Sequence, residues 1–490
     1  MNKKINLDIS LINSEKKIHD INFGWYDLNT SKKFREELLK NIIPLIKINN
    51  KNTQLSPSVN LATNIFSKWF FTGLLRLFGS LQTKKFLNKK FNKIYTPKKF
   101  IFLKKILIDD IPDTPFQNLK NPELKQNKFL RLLKNIIRTI QINSFSDFIN
   151  FKKGGDAILY TNFLKKNIHN NGEINLLRDL KYFFKNKKNN KFNFFENEKN
   201  SYSEKDLKEF YLIKKKIVSS FKKFNLELTK NNQIYIDNFI HHCFLFLKYN
   251  WISSKIPKKL HIGTGGSLAW GKLLSALILF NGGKVINYEH GRGTILHYFV
   301  QKFFTDLNYT SKFININKKH QIINDKRFHN LKNKYSISNF KLEMGYPKQI
   351  IKNPFSLDKK EFKKITSKNL KALYVTGVYV GYEGSFRPCL PDIHYLKFQT
   401  EIFEILKKLN IKCTLKPHPG GKSKIPEKIC EMYKINVLDK KYEEIVNKID
   451  FDLFIIDHIA STTAPHIINY SKPTIYFDFN FTELNKLTIK

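Results

Sequence analysis

Acidic residues are scarce in this chain: 41 Asp and Glu stand against 86 Lys and Arg in 490 residues, a formal charge of +45. Arginine is scarcer still. Eight of the basic residues are Arg, at 35, 76, 131, 138, 178, 292, 327 and 387, and 78 are Lys. Charge of this size ordinarily points to nucleic acid or an anionic membrane. The excess of Lys, Asn, Ile and Phe is also what AT-rich codon usage produces, and no RNP, zinc-finger or helix-turn-helix signature accompanies it. No specific nucleic-acid partner is therefore expected. The charge favours anionic substrates and peripheral contact with an anionic membrane.

Cysteine is limited to positions 243, 389, 413 and 430, with no C-x-x-C spacing, which argues against a disulfide framework or zinc site and predicts reduced, mostly buried thiols. Met1-Asn2-Lys3-Lys4-Ile5 lacks the apolar run of a signal peptide, so a cytoplasmic protein is expected. The nearly apolar stretch from Ile65 to Leu81 carries Lys68 and Arg76 and falls short of the ~20 residues of a membrane span. Two readings fit it. One is an interfacial helix at the inner face of the membrane, with Trp69 and Phe70 at the acyl boundary; the other is a buried helix. Asp109-Asp110 and Asp450-Phe451-Asp452 are poor metal motifs, so neither metal nor cofactor is expected.

What the chain does contain is core material, with 41% hydrophobic and 14% aromatic residues. Its length suits two α/β units plus an extra segment. Residues 1–203 read as mainly helical, with helical spacing across 129–137 and a polar tract from Lys185 to Ser203. Ser203 and Asp206 form a capping-box pattern opening a helix over 204–224, followed by another over 232–250. From Lys258 short apolar runs alternate with helical stretches. Strands are predicted at 259–263, 284–289, 312–316, 341–344, 371–376, 411–416, 435–438, 451–456 and 473–478. The expected fold class is α/β, with two Rossmann-like lobes at 204–345 and 346–490 dividing near Gly345-Tyr346-Pro347.

In such sheets ligands sit beyond the carboxyl ends of the strands, where helix N-termini present amides to anions. Three strand ends carry suitable chemistry. Tyr288-Glu289-His290-Gly291-Arg292 places a histidine between a strand and glycines, as a general base would be; Glu289 would orient it or share the role, and Arg292 offers a planar fork for phosphate. Lys416-Pro417-His418-Pro419-Gly420-Gly421 holds a histidine on a proline-stiffened loop, open on its glycine side. Asp457-His458-Ile459-Ala460-Ser461-Thr462-Thr463-Ala464-Pro465 follows an apolar strand and starts a helix whose hydroxyls and amides would meet an anion. Tight turns and ordinary helix capping also explain these patterns. The glycines of Val375-Thr376-Gly377 to Gly384-Ser385-Phe386-Arg387 suggest a mobile loop closing over a ligand, with Arg387 as a second guanidinium. His261-Ile262-Gly263-Thr264-Gly265-Gly266 is a glycine-rich turn matching no phosphate motif, and His241, His242, His320 and His329 read as structural.

The combination resembles bacterial GT-B transferases of the CDP-glycerol glycerophosphotransferase and capsular-polysaccharide kind. Matching positions are His290-Gly291, Gly345-Tyr346-Pro347, His418-Pro419, Asp457 with Ser461-Thr462, and the strand Lys472-Pro473-Thr474-Ile475-Tyr476-Phe477. The resemblance spans roughly 255–490. It implies a GT-B-like fold, His290 as the base acting on the acceptor, and His418, Ser461 and Thr462 on the donor phosphates. Pro419, Gly420, Asp457, Thr463, Lys416, Arg292 and Arg387 complete the expected phosphate-binding set. The implied substrates are a nucleotide-sugar or CDP-polyol donor and a saccharide or lipid-linked acceptor, in surface polysaccharide or lipopolysaccharide synthesis. The longer Asp-to-Ser spacing favours a sugar-nucleotide donor. A two-lobed nucleotide-sugar epimerase and a basic nucleic-acid- or membrane-binding protein are the alternatives.

Overall fold

The structure is a computed structural model that describes residues 4–12, 28–47, 56–91, 93–96, 100–116, 157–159, 202–251, 259–262, 269–288, 304, 307–315, 321–322, 324–326, 329, 341–344, 369–381, 390–418, 421, 423–440, 442–446, 448–457, 463–464, 467 and 472–479. The predicted helix at 129–137 and the Gly345-Tyr346-Pro347 divide lie outside them.

The chain opens with β1 (Lys4–Asn6) and a 3-10 turn at Ile9–Leu11. Helices α1 (Leu28–Ile42), α2 (Val59–Ile65) and α3 (Ser67–Lys90) follow, then β2 (Lys93–Tyr95), α4 (Ile101–Leu107) and β3 (Ala157–Leu159). Next comes α5 (Glu204–Lys223), opened by the expected capping box: Asp206 N–H donates to Ser203 Oγ, and Ser203 N–H donates to Asp206 Oδ2, both at 3.1 Å. In α6 (Lys230–Asn250), Thr229 caps the first turn and the middle is apolar on nearly every side, the composition of a central helix. Gly73 of α3 faces it so closely that a Cβ there would lie 1.9 Å from the Phe239 ring.

The remaining elements alternate: β4 (Lys259–Ile262), α7 (Ala269–Phe280), β5 (Lys284–Tyr288), β6 (Lys312–Asn315), β7 (Lys341–Met344), β8 (Lys371–Val375), α8 (Asp392–Lys408), β9 (Lys412–Lys416), α9 (Glu427–Met432), β10 (Asn436–Val437), α10 (Tyr442–Val446), β11 (Leu453–Ile456) and β12 (Thr474–Tyr476). Together with β3 they build two five-stranded sheets, parallel throughout. The first runs β3-β4-β5-β6-β7, in chain order. The second runs β10-β9-β8-β11-β12, so the chain steps out to one edge and then crosses back past its starting strand. The protein is thus α/β, and all nine predicted strands are present. β3, upstream of residue 203, pairs Ile158 with His261 and joins the first sheet.

Period-2 alternation sends the side chains of the second sheet into two cores. Ala372, Tyr374 and Ile455 face one, and Leu373, Val375, Phe454 and Ile456 face the other. A separate core joins α1, α2, α3, α5, α6 and α7 to β4, β5 and β6, running across residue 203. The chain's beginning belongs elsewhere: Leu7, Ile9, Leu87, Phe100 and Leu103 are buried with α8 and the second sheet.

The stretch 65–81 is a buried helix and not an interfacial one. Phe70, Phe71, Leu74, Leu77 and Phe78 of α3 are at most 1% exposed, and Trp69 packs on the same core. Residues drawn at a lipid boundary are used for packing. Among the described residues no helix is long and apolar enough to cross a membrane.

Candidate functional site

The strand order of the second sheet reverses at β8, between β9 and β11, and doubly wound sheets bind ligands beyond the carboxyl ends of the strands at such a switch point. Three loops meet there because β9, β8 and β11 are neighbours. Thr376 N–H donates to Lys416 O at 3.1 Å, carrying the β8–β9 pairing past the strand ends.

Asp457, directly after β11, is 6% exposed and holds the loops together. Its Oδ2 accepts the hydroxyls of Tyr374 at 2.5 Å and Tyr395 at 2.6 Å, and its Oδ1 accepts the Gly377 N–H at 2.5 Å. Burial pushes the carboxyl up to about 6, against the pull of these donors toward the anion. The two phenols are raised well above their ordinary value, first by burial and then by the charge of Asp457, so they remain protonated donors.

A second carboxylate works the neighbouring stretch. Asp392, the fully buried first residue of α8, accepts the Gly381 N–H on Oδ1 and the Ser423 hydroxyl on Oδ2, each at 2.6 Å. Ser423 belongs to the loop after β9. Between the two anchors Tyr379 is buried, with its hydroxyl on Gln399 of α8.

Among the predicted site residues, Lys416 is buried at the end of β9, and its ammonium donates to Pro417 O at 2.6 Å. His418 is half-buried in the following loop. Thr463 is half-buried, and its carbonyl accepts the Ile467 N–H at 3.0 Å, the first bond of a helical turn, as a cap residue's does. Lys416 therefore closes β9, while His418 and Asp457 follow β9 and β11 at the carboxyl ends of the second sheet. Glu289, His290, Arg292, Arg387, Pro419, Gly420, Ser461 and Thr462 lie outside the described residues. Tyr288, the residue before Glu289, is held at the end of β5 by a 2.8 Å hydrogen bond between its hydroxyl and His261 Nδ1.

Other groups have structural work. His242 Nδ1 lies 2.6 Å from Thr114 Oγ1, with its pKa lowered to about 3 by burial, and His241 meets Tyr202. Burial pushes the Cys413 and Cys430 thiols up to about 12 and about 11, away from nucleophilic use. Asp109 accepts the Thr229 hydroxyl at 2.8 Å, Asp450 pairs with Lys472 at 2.9 Å, and Asp452 accepts Lys371 N–H at 2.9 Å. No group of three potential metal ligands occurs among the described residues.

The residues missed from sequence are Tyr374, Asp392, Tyr395 and Gln399. Pro391-Asp392 is a recognisable helix start, but nothing local marks the two tyrosines as partners of a carboxylate 83 and 62 residues away. Comparison of the chain with protein families, with curated proteins and with solved structures finds no match.

Proposed function

We propose that this chain is a glycosyltransferase-type enzyme of two-lobed, GT-B-like architecture that moves a glycosyl or polyol-phosphate group from a nucleotide-activated donor to an acceptor. The observation that carries the reading is the switch point of the second sheet, where reversed strand order brings together the carboxyl ends of β9, β8 and β11. Lys416 at the end of β9, His418 after it and the Thr463 turn are groups suited to a diphosphate. In this reading the donor sits on the second sheet, and the leaving diphosphate is stabilised by helix amides, His418 and Arg387. The acceptor faces the end of β5, where His290, with Glu289, removes the proton of its hydroxyl. The chain then works at the cytoplasmic face in surface-carbohydrate synthesis.

A thermal-shift screen with CDP-, UDP-, GDP- and dTDP-linked sugars and a CDP-polyol tests this, because a ligand of the native state raises stability by mass action. At least one donor is expected to stabilise the protein. Stabilisation by none of them, alongside salt-sensitive binding of oligonucleotides, would replace the enzyme by a basic binding protein. Epimerised donor formed without an acceptor would make it an epimerase.

A further inference from the structure

The glycines at 377 and 381 make the loop after β8 look like a lid, which was the expectation from sequence. Residues 382–389 of that loop lie outside the described residues, and the contacts of 376–381 hold that part in place. In the described stretch 376–381, Gly377 N–H donates to Asp457 at 2.5 Å, and Gly381 N–H, at its end, donates to Asp392 at 2.6 Å. Both acceptors are buried carboxylates, supplied by different elements. Each is fixed in turn: Asp457 by Tyr374 and Tyr395, Asp392 by Ser423. At the far end Gly381 has φ +93°, and a Cβ there would sit 2.8 Å from the buried Phe100 ring. The loop backbone therefore lies flush on an aromatic side chain from the beginning of the protein. Glycine is needed here for close approach, and freedom of movement is not its consequence.

We propose that Asp457 and Asp392 are paired positioning residues that hold residues 376–381 as a fixed wall at the switch point of the second sheet, pre-formed for a ligand. The nature of that ligand rests on the donor-site reading above; the state of the loop does not. Ordering the wall during folding removes an entropic cost from binding, which is how preorganisation raises affinity. Any closing motion then belongs to other segments.

Hydrogen exchange on the full-length chain, read by mass spectrometry over peptides covering residues 374–382, tests the loop directly. The Gly377 and Gly381 amides are expected to exchange slowly. Asp457→Ala should speed exchange at Gly377, and Asp392→Ala at Gly381, by roughly tenfold to a hundredfold, the scale of one hydrogen bond to a charged acceptor. Asp457→Asn and Asp392→Asn retain an acceptor oxygen and should restore most of the protection, together with CDP or UDP binding lost in the alanine variants. Where an alanine variant fails to fold, two milder changes decide. Tyr395→Phe should raise exchange at Gly377 alone, and Ser423→Ala at Gly381 alone.

Fast exchange in the unaltered protein, or exchange unmoved by these substitutions, overturns the proposal. If the amides behave as expected and neither CDP nor UDP binds the unaltered protein, the donor reading loses its support and the fixed wall stands. If nucleotides bind and the amides exchange freely, the wall falls and the donor site remains.

Discussion

Tyr395, in the first turn of α8, places its hydroxyl 2.6 Å from Oδ2 of Asp457, which begins the loop after β11. One phenol thereby ties a helix on one side of the second sheet to the strand end where the chain has crossed back. Tyr374 reaches the same oxygen from β8 at 2.5 Å. Because both hydroxyls serve one oxygen, their contributions should be coupled. Tyr374→Phe and Tyr395→Phe are each expected to cost about 1–3 kcal/mol, and the double variant to depart from the sum. Urea unfolding of the three variants measures this; strict additivity would mean that the two donors act independently.

The pH dependence follows from Asp457, which faces Tyr374, Tyr395 and the Gly377 amide. Its folded pKa, about 6, lies above the ordinary 3.8, so the folded state holds the proton more tightly than the unfolded chain. The associated stability is fully present below pH 3.8 and is lost as pH rises through about 6. The stability of the native protein minus that of Asp457→Asn should thus shrink across this window by about 3 kcal/mol. Denaturant titrations at several pH values check it, and a difference that grows with pH would reverse the sign.

Gly381→Ala meets two penalties at once, a left-handed backbone and the Phe100 ring 2.8 Å from the new methyl. A loss of more than about 2 kcal/mol is expected. Phe100→Leu in the same chain should recover the packing part and leave the backbone part. A Gly381→Ala protein as stable as the original would show that the loop can shift.

Leu7 is fully buried against the second sheet although it stands at the other end of the chain. Leu7→Ala should cost about 2–5 kcal/mol. Hydrogen exchange should increase in β8 and α8 more than in α5 and α6. The reverse pattern would detach the chain's beginning from that core.

The two candidate histidines should separate kinetically. His290→Ala is expected to lower kcat by about 10² to 10⁴-fold with donor affinity retained, since a base acts in the transition state. His418→Ala should instead weaken donor binding by about 1–3 kcal/mol, with no acceptor present. Calorimetry beside turnover distinguishes them, and donor binding lost only in His290→Ala would exchange the roles.

Much of the second half was legible because its signals are local. The predicted strand at 341–344 matches Lys341–Met344, and the capping box at Ser203 stands where the pattern put it. Strands β1, β2 and β3 were not foreseen, because three residues such as Lys4-Ile5-Asn6 are too short to show alternation. The stretch 65–81 was ambiguous for a different reason. Apolar side chains have the same pattern whether they meet lipid or the rings of Phe116 and Phe239, so only the packing of α3 decides.

The sequence by itself determined where the strands β4 to β12 lie and which strand ends carry His418 and Asp457, since periodicity, caps and turn residues act within a few positions. Tertiary structure alone decided that Asp457 meets Gly377, Tyr374 and Tyr395, and that the stretch 376–381 is held at both ends. Those partners come together through the strand order β10-β9-β8-β11-β12. That order depends on crossovers and on burying both faces of the sheet, and no local stretch of residues encodes either.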